Sequence, residues 1–167
     1  PAWDPRGKRG NAMAYMTANV GASHMRAGYK APTGLPNRSA VDLMEELVDS
    51  QHSIVIRDSM SLCAFAKGAT PDDVMVQAWK ATTGDDCTWE DLMDRARVQW
   101  DQARQWNVEH WKRQGKSAAQ EDLLSWRLRR EPIPSGVAAG MVSFMDDEDE
   151  AACMSAYYQL RGWTGEG

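Results

Sequence analysis

The chain has 167 residues, a net charge of −5 and a sequence pI near 5.2. An acidic balance without a basic stripe argues against nucleic-acid binding, and no apolar run is long enough to cross a membrane. The length is that of a single domain, residues 1–167, with room for a real hydrophobic core.

The cysteines and the first residues indicate the compartment and the context of the chain. Cys63, Cys87 and Cys153 are odd in number, lie far apart and form no Cys-x-x-Cys pair. They argue against a disulfide scaffold and predict a reducing, cytoplasmic location. The opening Pro1-Ala2-Trp3-Asp4-Pro5 is loop-like and favours a larger parent polypeptide, although removal of an initiator Met would give the same start.

The first half of the chain predicts helices separated by loops rich in glycine and proline. Residues 12–19 are small and apolar, which predicts a short buried helix that Gly21 ends. Residues 30–38 predict a loop, after which Ser39 caps the next helix. The apolar residues of that helix recur at helical spacing: Val41, Leu43, Met44, Leu47 and Val48.

The middle of the chain carries two clear helix starts. Residues 70–73, Thr-Pro-Asp-Asp, predict a helix that ends at Gly84. Its predicted buried stripe is Val74, Met75, Ala78 and Trp79. Residues 88–91, Thr-Trp-Glu-Asp, begin the longest helix, which runs to about Gln114 before Gly115. Its predicted apolar face contains Trp89, Leu92, Met93, Ala96, Trp100, Ala103 and either Trp106 or Asn107.

The last part of the chain is mixed, with an extended Glu-Pro-Ile-Pro segment at residues 131–134. The acidic run 146–150 lacks the glycine of a calcium loop and indicates the solvated start of a helix over residues 151–160. No alternating strand pattern occurs anywhere. The sequence therefore predicts an all-α, irregular domain of about six helices with ordered loops.

Residues 58–63, Asp-Ser-Met-Ser-Leu-Cys, are the most distinctive segment. An acid that accepts several hydrogen bonds stands five residues before a lone cysteine, which suits a corner that holds a ligand. The residues alone favour Cys63 as a small buried hydrophobe, as most unpaired cysteines are, and His24 as a satisfied polar residue at a helix end. They leave the ligand-holding alternative open.

The order of several segments resembles the C-terminal domain of the tungsten-dependent aldehyde ferredoxin oxidoreductases. Residues 1–7 and 14–27 are similar to the family's Tyr-Asp-Pro-Arg-Gly loop and the Tyr-Ala-Thr-Ser-Asn-Arg-Gly-Ala-Cys-His segment after it. Residues 58–63 resemble its Asp-x-x-Gly-Leu-Cys. Further matches are the Trp100 to Asn107 helix with Arg104, then Arg127 with Glu131-Pro132-Ile133-Pro134, and Tyr157-Tyr158-Gln159-Leu160-Arg161-Gly162-Trp163.

The resemblance implies roles for four residues. Cys63 occupies the slot of the fourth ligand of a [4Fe-4S] cluster, and Asp58 that of the acceptor for the amino and ring nitrogens of a molybdopterin. Leu62 and its neighbours would line the pterin through backbone groups. His24 lies in the slot near metal and substrate, which implies proton transfer or positioning of a carbonyl.

The resemblance also implies cofactors and partners. They are a tungsten (or molybdenum) bis-molybdopterin and a [4Fe-4S] cluster, both shared with N-terminal domains or a subunit of the same enzyme. An aldehyde would be oxidised to a carboxylate with electron transfer to ferredoxin. The isolated chain is expected to be inactive, and homo-oligomerisation stays open.

Three residues depart from the family pattern. Ser61 replaces the motif glycine, which matters if the backbone there needs a positive φ, Ser23 stands in place of a cysteine, and Val20 in place of an arginine. Cys87 and Cys153 have neither the spacing nor the context of further cluster ligands. These departures favour an alternative, a non-catalytic helical interaction module derived from that domain.

Overall fold

The computed structural model describes residues 3–28, 39–63, 65–66 and 70–163, and no strand occurs in that part of the chain. The all-α prediction is confirmed. The α-helices are α1 (Arg9–Met16), α2 (Met44–Ser59), α3 (Asp72–Thr83), α4 (Trp89–Arg113), α5 (Ala118–Glu121), α6 (Trp126–Arg130) and α7 (Asp147–Arg161). Single-turn elements cover Pro5–Gly7, His24–Gly28 and Val41–Leu43. Within the same residues no helix combines the length and the apolar character needed to cross a membrane.

Helix α4 begins and ends close to where the sequence predicts, because both of its ends are specified locally, but Ala103 of the predicted apolar face is exposed. Thr88 and Asp91 form a capping box, in which the Asp91 amide donates to the Thr88 hydroxyl over 3.2 Å and the Thr88 amide donates to the Asp91 carboxylate over 2.8 Å. The helix ends before Gly115, which adopts a φ of +71°. Trp106 is 76% exposed, so Asn107 is the residue that continues the packed face.

Helix α2 is central because it packs against α4 on one side and α7 on another. A large cluster of buried side chains joins α1, α2 and α7, with Met13, Leu47 and Tyr157 among its members. A smaller cluster joins the end of α2 to α4 through Ile56 and Leu92. Burying a large apolar side chain contributes roughly 1.5–3 kcal/mol, so these contacts fix the direction in which α2 delivers its last turn.

A buried polar network also holds α2 against α7. The Tyr157 hydroxyl donates to Gln51 Oε1 over 2.7 Å, and the Arg161 guanidinium donates to the same oxygen. Arg161 Nη1 lies 2.5 Å from His52 Nε2. Burial, and then the charge of Arg161, lower the pKa of His52 to about 4, so the imidazole is neutral and its Nε2 accepts the hydrogen bond.

Several predicted details were wrong, and for α3 and α7 the reason lies in packing or capping. Helix α1 starts and ends about three residues before the predicted 12–19. In α3 only Met75 is buried, because the helix packs mainly against α4 and leaves Val74 and Ala78 exposed. Helix α7 starts earlier than predicted, because Asp146 Oδ1 accepts from the Asp149 amide over 2.8 Å. The predicted loop 30–38 lies outside the described residues.

Candidate functional site

The end of α2 is a tight turn that carries three of the predicted site residues. The Ser61 amide donates to the Asp58 carbonyl over 3.0 Å, and the Leu62 amide donates to the Arg57 carbonyl over 2.9 Å. These two bonds form a Schellman motif, which pairs the last carbonyls of a helix and reverses the chain. Asp58 thus belongs to the last turn of the helix, and Leu62 and Cys63 follow immediately outside it.

Ser61 adopts the left-handed conformation that this turn requires, with a φ of +56°. Among the described residues it is the only non-glycine with a positive φ. A side chain in this region costs about 1–2 kcal/mol relative to the right-handed conformation. Replacing the motif glycine by Ser61 therefore has a cost, because the backbone at this position adopts a positive φ.

Asp58 forms an ion pair with Arg26, which the sequence did not indicate. Arg26 Nη1 donates to Asp58 Oδ2, and the two side chains are 38% and 48% exposed. Arg26 lies in the π-helical turn His24–Gly28, which packs against α2. The pair therefore joins two segments that are 32 residues apart and that both carry predicted site residues.

A groove of about 510 Å³ opens beside this ion pair. Residues that line it include Asn19, Arg26, Asp58, Ser61, Leu62 and Trp100. Trp100 Nε1 and Asn19 Oδ1 are buried and have no hydrogen-bond partner among the residues that the structure describes. Val20, in the position of the family's arginine, also lines the groove. Among the described residues that line the groove, the charged ones are Arg26 and Asp58.

His24 lies outside the lining of the groove, two residues from Arg26. Its ring stacks on Trp3 with a centroid distance of 4.7 Å and an interplanar angle of 28°. The imidazole is half-buried, and Ser23 accepts a hydrogen bond from the Met25 amide over 3.3 Å at the start of the same turn. The stacking on Trp3 therefore orients His24 near the groove but not within it.

Cys63 is exposed and does not line the groove. Its carbonyl accepts from the Ala66 amide over 3.0 Å, which makes a second tight turn just after α2. Buried Arg57 ties the start of α3 to the end of α2, donating to the Thr70 hydroxyl over 2.8 Å and to the Thr70 carbonyl over 3.0 Å. In the described part of the chain no three side chains form a group that could hold a metal ion.

A larger cavity, of about 790 Å³, lies near α7 and contains none of the predicted site residues. Its charged residues all take part in ion pairs or hydrogen bonds, some of them with residues outside the cavity. Arg129 Nη1 lies 2.9 Å from both carboxylate oxygens of Glu150, and Tyr158 donates to Asp122 over 2.5 Å. Because Asp58 and Leu62 line the smaller groove and no predicted site residue lines the larger cavity, the smaller groove is the candidate site.

Comparison with known proteins relates the whole chain to one family. A family model described as aldehyde ferredoxin oxidoreductase, domains 2 and 3, matches residues 1–167. Tungsten-containing aldehyde ferredoxin oxidoreductases from Pyrococcus furiosus and Pyrococcus abyssi are 29% and 30% identical over 174 residues. The enzyme of the same name from Thermococcus kodakarensis is 28% identical. Each match covers 100% of this chain and 27% of the relative, so the chain spans about a quarter of their length.

Proposed function

The chain belongs to the aldehyde ferredoxin oxidoreductase family, and on that premise we propose that it forms part of a tungstopterin iron–sulfur enzyme. The enzyme would oxidise an aldehyde to a carboxylate and pass electrons to ferredoxin. This segment would contribute Asp58 and Leu62 to pterin binding and Cys63 to a [4Fe-4S] cluster, and the remaining ligands would come from other domains of the enzyme.

The observation that carries this proposal is the arrangement at the end of α2. Asp58 and Leu62 line one groove, and the exposed Cys63 follows the same turn. A groove beside a thiol suits two cofactors that lie next to each other. The cofactors would supply the redox chemistry, and the chain would hold and orient them.

The carboxylate of Asp58, a hydrogen-bond acceptor, fits a pterin. Its carboxylate already accepts from the guanidinium of Arg26, a flat group with adjacent N–H donors. The amino and ring N–H groups of a pterin form a donor edge of the same kind. Because both side chains of the pair are well exposed, opening it costs no more than about 1 kcal/mol, and a ligand with matched donors can replace Arg26.

The exposed thiol of Cys63 also fits its proposed role, because iron–sulfur clusters are held by cysteine thiolates. His24 is proposed to transfer a proton or to position the substrate carbonyl, with Trp3 fixing the plane of its ring. The cytoplasmic location, the single-domain organisation and the use of tungsten by this enzyme stay predictions.

The proposal is tested on the complete enzyme, that is, the chain together with its other domains. We expect tungsten, iron and pterin to copurify with it, and Cys63→Ser to abolish the visible absorbance of the cluster. Cys87→Ala is the matched control. Because the Cys87 side chain is buried, its substitution should leave the cluster intact. Absence of metal and pterin from the complete enzyme would contradict the proposal.

A second candidate is a non-catalytic interaction module that has kept the fold. Exposed Val20 in the groove and strained Ser61 favour it, because both depart from the family pattern at the candidate site. In that case Cys63→Ser would change neither the absorbance of the complex nor its iron content. The same substitution therefore separates the two candidates.

A further inference from the structure

Ser61 combines two properties that no other residue of the groove shares. It holds a left-handed backbone conformation that glycine would adopt without strain. Its side chain is exposed and lines the groove beside Asp58. The backbone hydrogen bond from the Ser61 amide to the Asp58 carbonyl, 3.0 Å long, fixes the position of one residue relative to the other.

Among the described residues, no hydrogen bond of the Ser61 side chain offsets the strain. The turn itself uses only the backbone of Ser61, and its hydroxyl makes no hydrogen bond among the described residues. Strained residues of this kind cluster at ligand-binding sites, where the side chain is needed for a contact. A serine hydroxyl is both a donor and an acceptor, so it can pair with a ring carbonyl or with a ring N–H.

We propose that the Ser61 hydroxyl hydrogen-bonds the ligand that Asp58 holds. The inference rests on the proposed function for the class of ligand, a pterin. Asp58 would accept from the N–H groups of that ligand, and Ser61 would add one further hydrogen bond from the same side of the groove. This contact is specific to chains in which serine occupies the turn, since the family's glycine has no side chain to make it.

The test compares Ser61→Gly and Ser61→Ala in the complete enzyme, with Asp58→Asn as the reference for loss of the ligand. Pterin is measured as its fluorescent oxidation product and tungsten by mass spectrometry, before and after extended dilution and gel filtration. The midpoint of thermal unfolding, Tm, is recorded for each variant to separate strain from binding.

We expect both serine variants to lose pterin about fivefold faster than the parent, as the loss of one neutral hydrogen bond predicts. Their Tm values differ. Ser61→Gly relieves the strain and raises Tm by about 2 °C, whereas Ser61→Ala keeps a Cβ in the left-handed region and leaves Tm unchanged. A hydroxyl with only a structural role would not produce equal losses of pterin with unequal stabilities.

Two other results would lead to different conclusions. Unchanged pterin retention in either serine variant, with pterin lost from Asp58→Asn, overturns the role of Ser61 and leaves the proposed function standing. Normal pterin content in Asp58→Asn, or none in the parent enzyme, removes the proposed function and this inference with it.

Discussion

Arg104 and Asp122 face each other through two parallel hydrogen bonds, of 2.7 and 2.6 Å, and both side chains are buried. The Asp122 carboxylate also accepts from the Tyr158 hydroxyl over 2.5 Å. The ring of Trp163 covers the guanidinium at 4.6 Å from its centroid. The pair thereby joins α4, the segment after α5, and α7.

Removing the charge of Asp122 should strongly destabilise the chain. In Asp122→Asn the buried guanidinium of Arg104 loses its countercharge, and breaking a buried pair on one side typically costs about 3–5 kcal/mol. Urea unfolding measures the change in the free energy of unfolding. Arg113→Ala is the control, because Arg113 is 78% exposed and pairs with Glu109 at 4.0 Å. A loss below about 1 kcal/mol in Asp122→Asn would contradict the buried geometry.

His52 should make the stability of the chain depend on pH. The pKa of His52 in the folded chain, about 4, lies below the usual 6.5. Between these two pH values the unfolded chain therefore binds a proton at His52 that the folded chain does not bind. The stability that neutral His52 contributes is fully present above pH 6.5. As the pH falls towards 4, the free energy of unfolding should decrease by about 1–3 kcal/mol.

The measurement is the free energy of unfolding at several pH values for the parent and for His52→Gln. The glutamine can still accept from Arg161 but does not titrate. We expect the parent to lose more stability than the variant between pH 6.5 and 4. Parallel curves would show that His52 titrates alike in both states.

The capping box of α4 gives a third prediction. Thr88→Ala removes the hydroxyl that accepts from the Asp91 amide and should lower Tm by about 3 °C. Thr88→Ser keeps the hydroxyl, and its Tm should fall by less than half of that amount. Equal losses in the two variants would mean that the hydroxyl does not stabilise the helix start.

The three cysteines should react with iodoacetamide at very different rates in the folded chain. Cys63 is exposed, whereas Cys87 and Cys153 are buried. Burial, and then the charge of Asp149, raise the pKa of Cys153 to about 11, so its reactive thiolate is scarce as well as shielded. Peptide mass spectrometry should show that Cys63 is modified at a rate at least about tenfold higher than the rates of the other two cysteines. In urea the three should label alike, and early labelling of Cys153 without urea would contradict its burial.

The sequence predicted those parts of the fold that short-range signals specify. Thr88 with Asp91, and the glycines after α3 and α4, gave helix ends close to the observed ones. The buried face of α3 could not be predicted, because Val74 has an apolar partner only if another element covers it. Helices α5 and α6 have four and five residues, too few to show a periodicity.

The candidate site was predicted in the same uneven way. Asp58 and Leu62 were found through their motif, and the structure brings them into one groove. Arg26 was missed as the partner of Asp58, because a contact across 32 residues leaves no trace in local spacing. The roles of His24, Asp58, Leu62 and Cys63 toward cofactors stay predictions.

The bond between Arg57 and Thr70 has a consequence for how the site can diversify. Because the buried side chain of Arg57 at the end of α2 binds Thr70, just before α3 begins, this contact holds the two helix ends together. Lengthening a closed segment is inexpensive, about 0.6 kcal/mol for each doubling. Insertions after Cys63 are therefore a route by which relatives could alter the surroundings of the thiol without repacking either helix.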